Sequence, residues 1–300
     1  MPSTEKSNKE ASRGNAAGRL LTENRPQPAT LAFIGGGNMA SSLIAGLVAD
    51  GYDPGHILVS DPQHQKLANL AARFSVRSVA ENIDAARRAD VLVLAVKPQA
   101  LKQVCMELRD TVQAHKPLLI SIAAGVRESF VQEWLGGGLP LVRTMPNTPA
   151  MIQAGATVLH AGPGVTTEQH NLAESILRAV GLTRWVADEK ELDAVTALSG
   201  SGPAYFFLVM ESMEAAGVEL GLDPETARLL TIQTALGAAR MAMESRDAPA
   251  TLRERVTSPG GTTERALEIF DDGNLRALFR RALAGARDRS EELSQLLGSG

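Results

Sequence analysis

Leu31-Ala-Phe-Ile-Gly35-Gly-Gly37-Asn-Met-Ala40 runs from an apolar segment of strand length into three successive glycines. Ser41 to Ala49 then carry their apolar residues at helical spacing, so the glycines occupy a strand-to-helix turn. A turn of this kind receives a dinucleotide's pyrophosphate. Gly35 allows the tight turn, Gly37 lets the backbone approach the phosphates, and Ala40 stands where the third glycine of the pattern is replaceable by alanine, keeping helix and sheet close. The first helical turn adds unpaired N–H groups and the positive end of the helix dipole.

The same alternation continues downstream. His56-Ile-Leu-Val-Ser60, Val76-Arg-Ser-Val79, Val91-Leu-Val-Leu-Ala-Val96, Leu118-Leu-Ile-Ser-Ile122 and Pro140-Leu-Val-Arg-Thr144 read as strands, with helices such as Gln63–Arg73, Ile83–Arg88 and Arg127–Trp134 between them. Strands this apolar belong to a parallel sheet covered on both faces. Ala156–His160 and Leu182–Val186, flanking a helical stretch from Thr167 to Val180, are placed at the edge of the same sheet.

After Val186 strand signals stop, and Asp188-x-x-Glu191 resembles a capping box opening a helical half. Helices are expected over Asp188–Ser199, Pro203–Leu220, Pro224 to about Ser245, Pro249–Val256, Thr263–Phe270 and Leu275 to about Leu297. Met210, Met213, Met241 and Met243 lie in these helices and read as core or subunit contacts. The expected fold is α/β: a Rossmann-type, doubly wound, mostly parallel sheet over residues 30–187, followed by an all-α domain over 188–300. Residues 1–29, polar and aperiodic, read as a disordered tail.

Composition narrows the functional classes. A net charge of -4 gives no electrostatic case for nucleic acid or an anionic membrane, and no apolar run reaches the length of a membrane span. The single cysteine, Cys105, excludes an intramolecular disulfide and a thiolate metal cluster, which fits a reducing, cytoplasmic setting. Aromatics make up only 4% of residues, which favours close-packed helices over a β-rich architecture.

Ligands of an open parallel sheet collect beyond the carboxyl ends of its strands. Asp61 ends the second strand about two dozen positions after Gly35, where a carboxylate accepts from the adenosine ribose 2′-hydroxyl of NADH. Asp61 before Pro62 is equally a helix N-cap, and Ser60 could donate to the 2′-phosphate of NADPH, so both cofactors stay open.

The helical half is poor in proton carriers: it has no lysine after Lys190, no histidine after His170, and Tyr205 sits in a segment that reads as helix packing. Its polar breaks are Ser199-Gly-Ser-Gly-Pro203 and Ser258-Pro-Gly-Gly-Thr262-Thr263. The second can present hydroxyls and free N–H groups at a helix N-terminus, a receptor for a carboxylate; the plainer alternative for both is a tight interhelical turn. Reduction of a protonated imine suits this inventory, because C=N⁺ is already electrophilic and the product nitrogen keeps its proton.

Ile34-Gly-Gly-Gly-Asn-Met-Ala40, Ala95-Val-Lys-Pro-Gln99, Ser121-Ile-Ala-Ala-Gly125, Arg143-Thr-Met-Pro-Asn-Thr-Pro149, Leu198-Ser-Gly-Ser-Gly-Pro-Ala-Tyr205 and Ser258-Pro-Gly-Gly-Thr-Thr263 together closely resemble pyrroline-5-carboxylate reductase. The similarity runs in order over about Ala29 to Leu296.

That resemblance implies reduction of L-1-pyrroline-5-carboxylate to L-proline by NADPH or NADH, the last step of proline biosynthesis. It implies that Ser258, Gly260, Gly261 and Thr263 hold the substrate, with the Thr263 hydroxyl beside the ring nitrogen, and the helix N-terminus near Thr262 is read as the anchor of the carboxylate. Together with the loop reading it gives Gly35, Gly37, Asn38, Met39, Ser60, Asp61, Asn82, Ala95, Val96, Lys97, Pro98, Ala123 and Gly125 as candidate cofactor contacts, and no metal. It further implies a homodimer formed by interlocking helical halves, and assembly of dimers into a decamer. Many relatives have Asn or Ser followed by Arg where this chain has Asp61-Pro62, which leaves their usual NADPH preference in question here. A β-hydroxyacid dehydrogenase shares the two-domain plan but relies on a lysine that the helical half lacks.

Overall fold

The structure, a computed structural model, describes residues 28–298. The expected tail therefore lies outside the described residues, except for its last two positions. Of these, Ala29 is buried and its carbonyl accepts a hydrogen bond from the Tyr52 hydroxyl.

Eight strands form one sheet: β1 (Leu31–Ile34), β2 (Ile57–Ser60), β3 (Arg77–Val79), β4 (Val91–Leu94), β5 (Leu118–Ser121), β6 (Leu141–Met145), β7 (Gly155–Ala161) and β8 (Gly181–Val186), in the order β3-β2-β1-β4-β5-β6-β7-β8. All neighbours are parallel except β6 and β7. The helices are α1 (Asn38–Ala49), α2 (His64–Phe74), α3 (Asn82–Ala86), α4 (Pro98–His115), α5 (Glu128–Leu135) and α6 (Thr167–Arg178), with a short α7 (Glu191–Val195) after the sheet.

Strand periodicity explains the double winding. Leu31, Phe33, Val91 and Val93 point into one core with Leu43, Leu47 and Ile176 of α1 and α6. Ala32, Ile34, Leu92 and Leu94 point into the other with Leu101, Leu108 and Val131 of α4 and α5. All four residues of β1 are fully buried, each large aliphatic side chain contributing about 1.5–3 kcal/mol of transfer free energy. Residues 182–186 form the edge strand of this side of the sheet, and residues 156–160 lie next to it, between β6 and β8.

The chain divides into two compact units: one through Gly200 and again from Arg289, the other Ser201–Asp288. This division falls later than the boundary expected near Ala187, because α7 and the π-helical turn Thr196–Gly200 that continues it pack with the sheet. The capping box is half formed. Glu191 accepts from the Asp188 N–H at 3.2 Å, but the Asp188 carboxylate takes the Lys190 N–H at 2.9 Å in a local turn, and the helix starts at Glu191.

The second unit contains α8 (Gly202–Glu219), α9 (Pro224–Glu244), α10 (Pro249–Arg255), α11 (Thr262–Asp272) and the larger part of α12 (Leu275–Gly298). α8 and α9 form a hairpin: Gly217 faces Ala227, and Asp223 caps α9 through the Thr226 N–H ahead of Pro224; the Thr226 hydroxyl first, and this N–H second, hold the Asp223 carboxyl below the usual range. Among the described residues no helix is long and apolar enough to cross a membrane.

Candidate active site

Register places the cofactor loops at one level. Ile34 lies opposite Ser60 and Leu94, and Leu94 opposite Ser121, so β1, β2, β4 and β5 end together and their loops share one edge of the sheet. Gly35 adopts φ +102°, and a Cβ there would stand 2.7 Å from the Ala95 carbonyl oxygen, so only glycine lets the β1 and β4 loops meet. Gly37 precedes α1 in extended backbone, and no side chain caps that helix. A Cβ on Gly37 would meet nothing within 4 Å, which is the cradle a phosphate needs beside free helix-terminal N–H groups. Asn38 is exposed, Met39 half-buried and Ala40 buried against the core. These residues fit a dinucleotide's pyrophosphate.

At the end of β2 both candidates have partners within the protein. Asp61 is buried, and its carboxylate accepts from the Gly36 N–H at 2.9 Å and from the Gln63 N–H at 2.8 Å, with the Lys66 ammonium at 3.6 Å. It braces the glycine turn directly. It is not the N-cap of α2, because that helix begins at His64 after Gln63. Ser60 is fully buried and its hydroxyl donates to Asn82 Oδ1 at 2.8 Å, so that hydroxyl is spent inside the protein. Asn82 in turn donates to Glu107 at 3.1 Å from the first position of α3.

Val96 closes on Gly35 from the β4 loop, Lys97 stands exposed before α4, and Pro98 supplies the first helical residue, where its missing N–H costs nothing. Ala123 lies buried at the start of the β5 loop. Gly125, at the far end of that loop, is turned from the cleft: its Cβ direction meets Leu293, Ser294 and Leu297 of α12.

The other candidates form a separate group in the second unit. Gly260 has φ +69° and donates to the Glu264 carboxylate at 2.6 Å, and Gly261 returns its N–H to the Ser258 carbonyl at 3.0 Å. Helix α11 then starts at Thr262 without a side-chain cap, and its first internal bond is Arg265 N–H to the Gly261 carbonyl. The amides of Thr262 and Thr263 precede that bond. Free helix-terminal amides beside the Ser258, Thr262 and Thr263 hydroxyls are the donor set that an anion requires.

A family model for pyrroline-5-carboxylate reductase dimerisation matches residues 189–293, and one for an NADP oxidoreductase, coenzyme F420-dependent, matches residues 30–125. A pyrroline-5-carboxylate reductase of Pseudomonas aeruginosa is 50% identical over 268 residues, covering 89% of this chain and 98% of the relative. The chain belongs to the pyrroline-5-carboxylate reductase family. Other members include a reductase of Glycine max, 40% identical over 88% of this chain and 96% of the relative. The solved reductase of Coxiella burnetii superposes with a TM-score of 0.85 at 50% identity over 89% of this chain and 98% of that one. The Plasmodium falciparum structure, solved with NADP bound, gives 0.80 at 27% identity over 89% of this chain and 98% of that one. Membership makes the chain a nicotinamide-dependent oxidoreductase with a Rossmann-type domain and a dimerisation domain.

Sequence reasoning missed a charged network behind the β5 loop. Arg127 pairs with Asp193 at 3.1 Å, Ser290 donates to Asp193 at 2.8 Å, Arg143 pairs with Glu189 at 2.8 Å, and the Glu128 N–H donates to Glu189 at 2.6 Å. Sequence separations of 46 to 97 residues leave no local signal for such contacts; only the fold brings them together.

Proposed function

We propose that this chain carries out its family's reaction: hydride transfer from NADPH or NADH to the C=N carbon of L-1-pyrroline-5-carboxylate, giving L-proline, the last step of proline biosynthesis. The observation that carries the proposal is a pair of uncapped helix N-termini, α1 after Gly37 and α11 after Gly261, each behind a glycine turn and each suited to an anion. The reduced nicotinamide, when bound, supplies the hydride.

The residues then divide the work. Gly35, Gly37, Asn38 and Met39 take the pyrophosphate, while Asn82, Ala95, Val96, Lys97, Pro98 and Ala123 line its flanks. The Thr262 and Thr263 amides and the Ser258 hydroxyl anchor the substrate carboxylate, fixing the ring so that the Thr263 hydroxyl hydrogen-bonds the nitrogen. Because that nitrogen keeps its proton, the reaction needs orientation more than a general acid, which accords with the lack of lysine and histidine after position 190.

Two features of Asp61 bear on cofactor choice. Its carboxylate oxygens already accept backbone N–H groups, which weakens its claim on a ribose hydroxyl, and the half-exposed Lys66 ammonium offsets its charge. We therefore favour NADPH over NADH.

The assembly we infer is a homodimer through the helical unit, with the decamer of five dimers as the larger form. Its support is the apolar surface of α8 and α9, taken up below. A cytoplasmic location accords with a lone cysteine, Cys105, whose burial pushes its thiol up to about 12. The test is oxidation of NADPH, and separately of NADH, by purified protein with pyrroline-5-carboxylate, followed by dihydronicotinamide absorbance. Substrate-dependent oxidation with NADPH ahead in kcat/KM is expected; folded protein inert with both would overturn the reading.

A further inference from the structure

The N-terminus of α5 is held from outside its own segment. Its N-cap residue Arg127 donates to Asp193, whose side chain is 2% exposed, and the N–H of its first residue, Glu128, donates to Glu189. Both acids come from the α7 region. Both are themselves secured: Glu189 by the nearly buried Arg143 guanidinium of β6, Asp193 by the Ser290 hydroxyl. Ser290 and Ser294 are the buried positions of α12, whose last turns lie under Gly125, with Leu297 packed against the same core.

Between β5 and α5 lies the loop Ile122–Val126. One end is pinned by its strand and the other by two carboxylates, while the last turns of α12 lie beneath it. In a Rossmann sheet the β2 side of the switch point receives the adenosine ribose, which leaves the β4 and β5 loops to the nicotinamide half.

We propose that Asp193 and Glu189 are positioning residues for the nicotinamide half of the cofactor, acting through the α5 N-terminus to fix the β5 loop. This rests on the cofactor reading above. Neither acid touches cofactor. Each holds a donor whose displacement would let the loop drift, and a small displacement in a cofactor cradle is costly to binding.

Two ligands separate this role from general stability. NADPH contacts both halves of the cleft; 2′-phosphoadenosine diphosphoribose, which lacks the nicotinamide ring, depends far less on the β5 loop. In the full-length protein, Asp193→Asn is expected to weaken NADPH binding roughly 10-fold by calorimetry, the scale of one charged hydrogen bond, while leaving the ring-less probe unchanged. KM for NADPH should rise with it. Ser290→Ala, which deletes one hydroxyl and preserves the ion pair, should give a smaller shift of the same kind, and it stands in if Asp193→Asn does not fold. Equal loss of both ligands, or no loss of NADPH in either folded variant, would overturn the proposal. Wild-type protein that binds neither ligand would instead overturn the cofactor reading beneath it, taking the proposal with it.

Discussion

The two units of this chain treat apolar residues in opposite ways. In the sheet unit Leu31, Phe33 and Ile34 are completely buried, and the alternating faces of each strand fill a core on either side. In the helical unit Phe206, Phe207, Leu208 and Val209 stand in succession on α8 at 68, 64, 62 and 43% exposure, and Leu229, Leu230, Ile232 and Leu236 are also exposed on α9. Consecutive exposed positions span more than one face of a helix, so no single neighbour within the unit can cover them. The first unit finishes its own core. The second has the composition of a core without the enclosure, as a dimerisation domain requires.

The largest effect should come from placing a charge on that uncovered surface. Phe207→Glu would have to bury an unpaired carboxylate at a subunit contact, at a cost of several kcal/mol. Sedimentation should then show monomer, and because the substrate loop belongs to the same unit, activity should fall by roughly two orders of magnitude or more. An oligomeric, fully active variant would mean that α8 is solvent-facing and that the contrast between the units has been misread.

Thr263→Ala tests the same unit without touching its assembly. Thr263 is half-buried at the first turn of α11, away from the apolar surface of α8 and α9, so sedimentation and Tm should match the parent. The expected loss is roughly 10- to 1000-fold in kcat/KM, equivalent to about 1–4 kcal/mol of transition-state interaction. Normal turnover with unchanged KM would remove Thr263 from the chemistry.

In the sheet unit two adjacent glycine substitutions should separate folding from binding. Gly35→Ala puts a Cβ 2.7 Å from the Ala95 oxygen at φ +102°, so the fold itself should lose about 2–4 kcal/mol in denaturant unfolding. Gly37→Ala meets nothing in the protein at φ -73°, so stability should hold while NADPH binding weakens roughly 10-fold, because the methyl enters the phosphate cradle. Equal thermal destabilisation of both would mean that the cradle is not where the open space lies.

These contrasts also explain what was legible in the sequence. β1, β2, β4 and β5 could be read within a residue or two, because buried parallel strands are uniformly apolar and bounded by turn residues. The cofactor turn and the Ser258–Thr263 loop were legible because glycine marks local backbone demands. Asp61 was harder: a carboxylate after β2 serves a ribose or a helix cap equally well on paper, and its role as a brace for the glycine turn shows only in its distances to Gly36 and Gln63. The bond from Ser60 to Asn82 was equally hidden, since a partner 22 residues away leaves no trace in a short strand. The compact-unit division at Gly200 leaves no mark in the sequence, because α7 is helical yet packs with the sheet, so a change of secondary structure does not coincide with that division.

The smallest effect concerns charge rather than packing, and it belongs to the unit that encloses its own interior. Glu128, at the start of α5, has its carboxyl pushed up from 4.5, first by burial and then by the neighbouring Glu189 carboxylate, against the lowering influence of Gln132, His160 and Arg143. Folding therefore favours its protonated form. The stability this contributes is present below the unfolded value of 4.5 and is lost as pH rises through the elevated folded value. Glu128→Gln keeps the shape of the protonated acid at every pH. Its Tm should exceed the parent's at neutral pH, and the difference should close as pH falls towards 4.5. A thermal melt series across that interval decides it. A variant less stable than the parent at neutral pH would mean that the pairing of Glu128 with His160 at 3.7 Å outweighs its desolvation, reversing the sign.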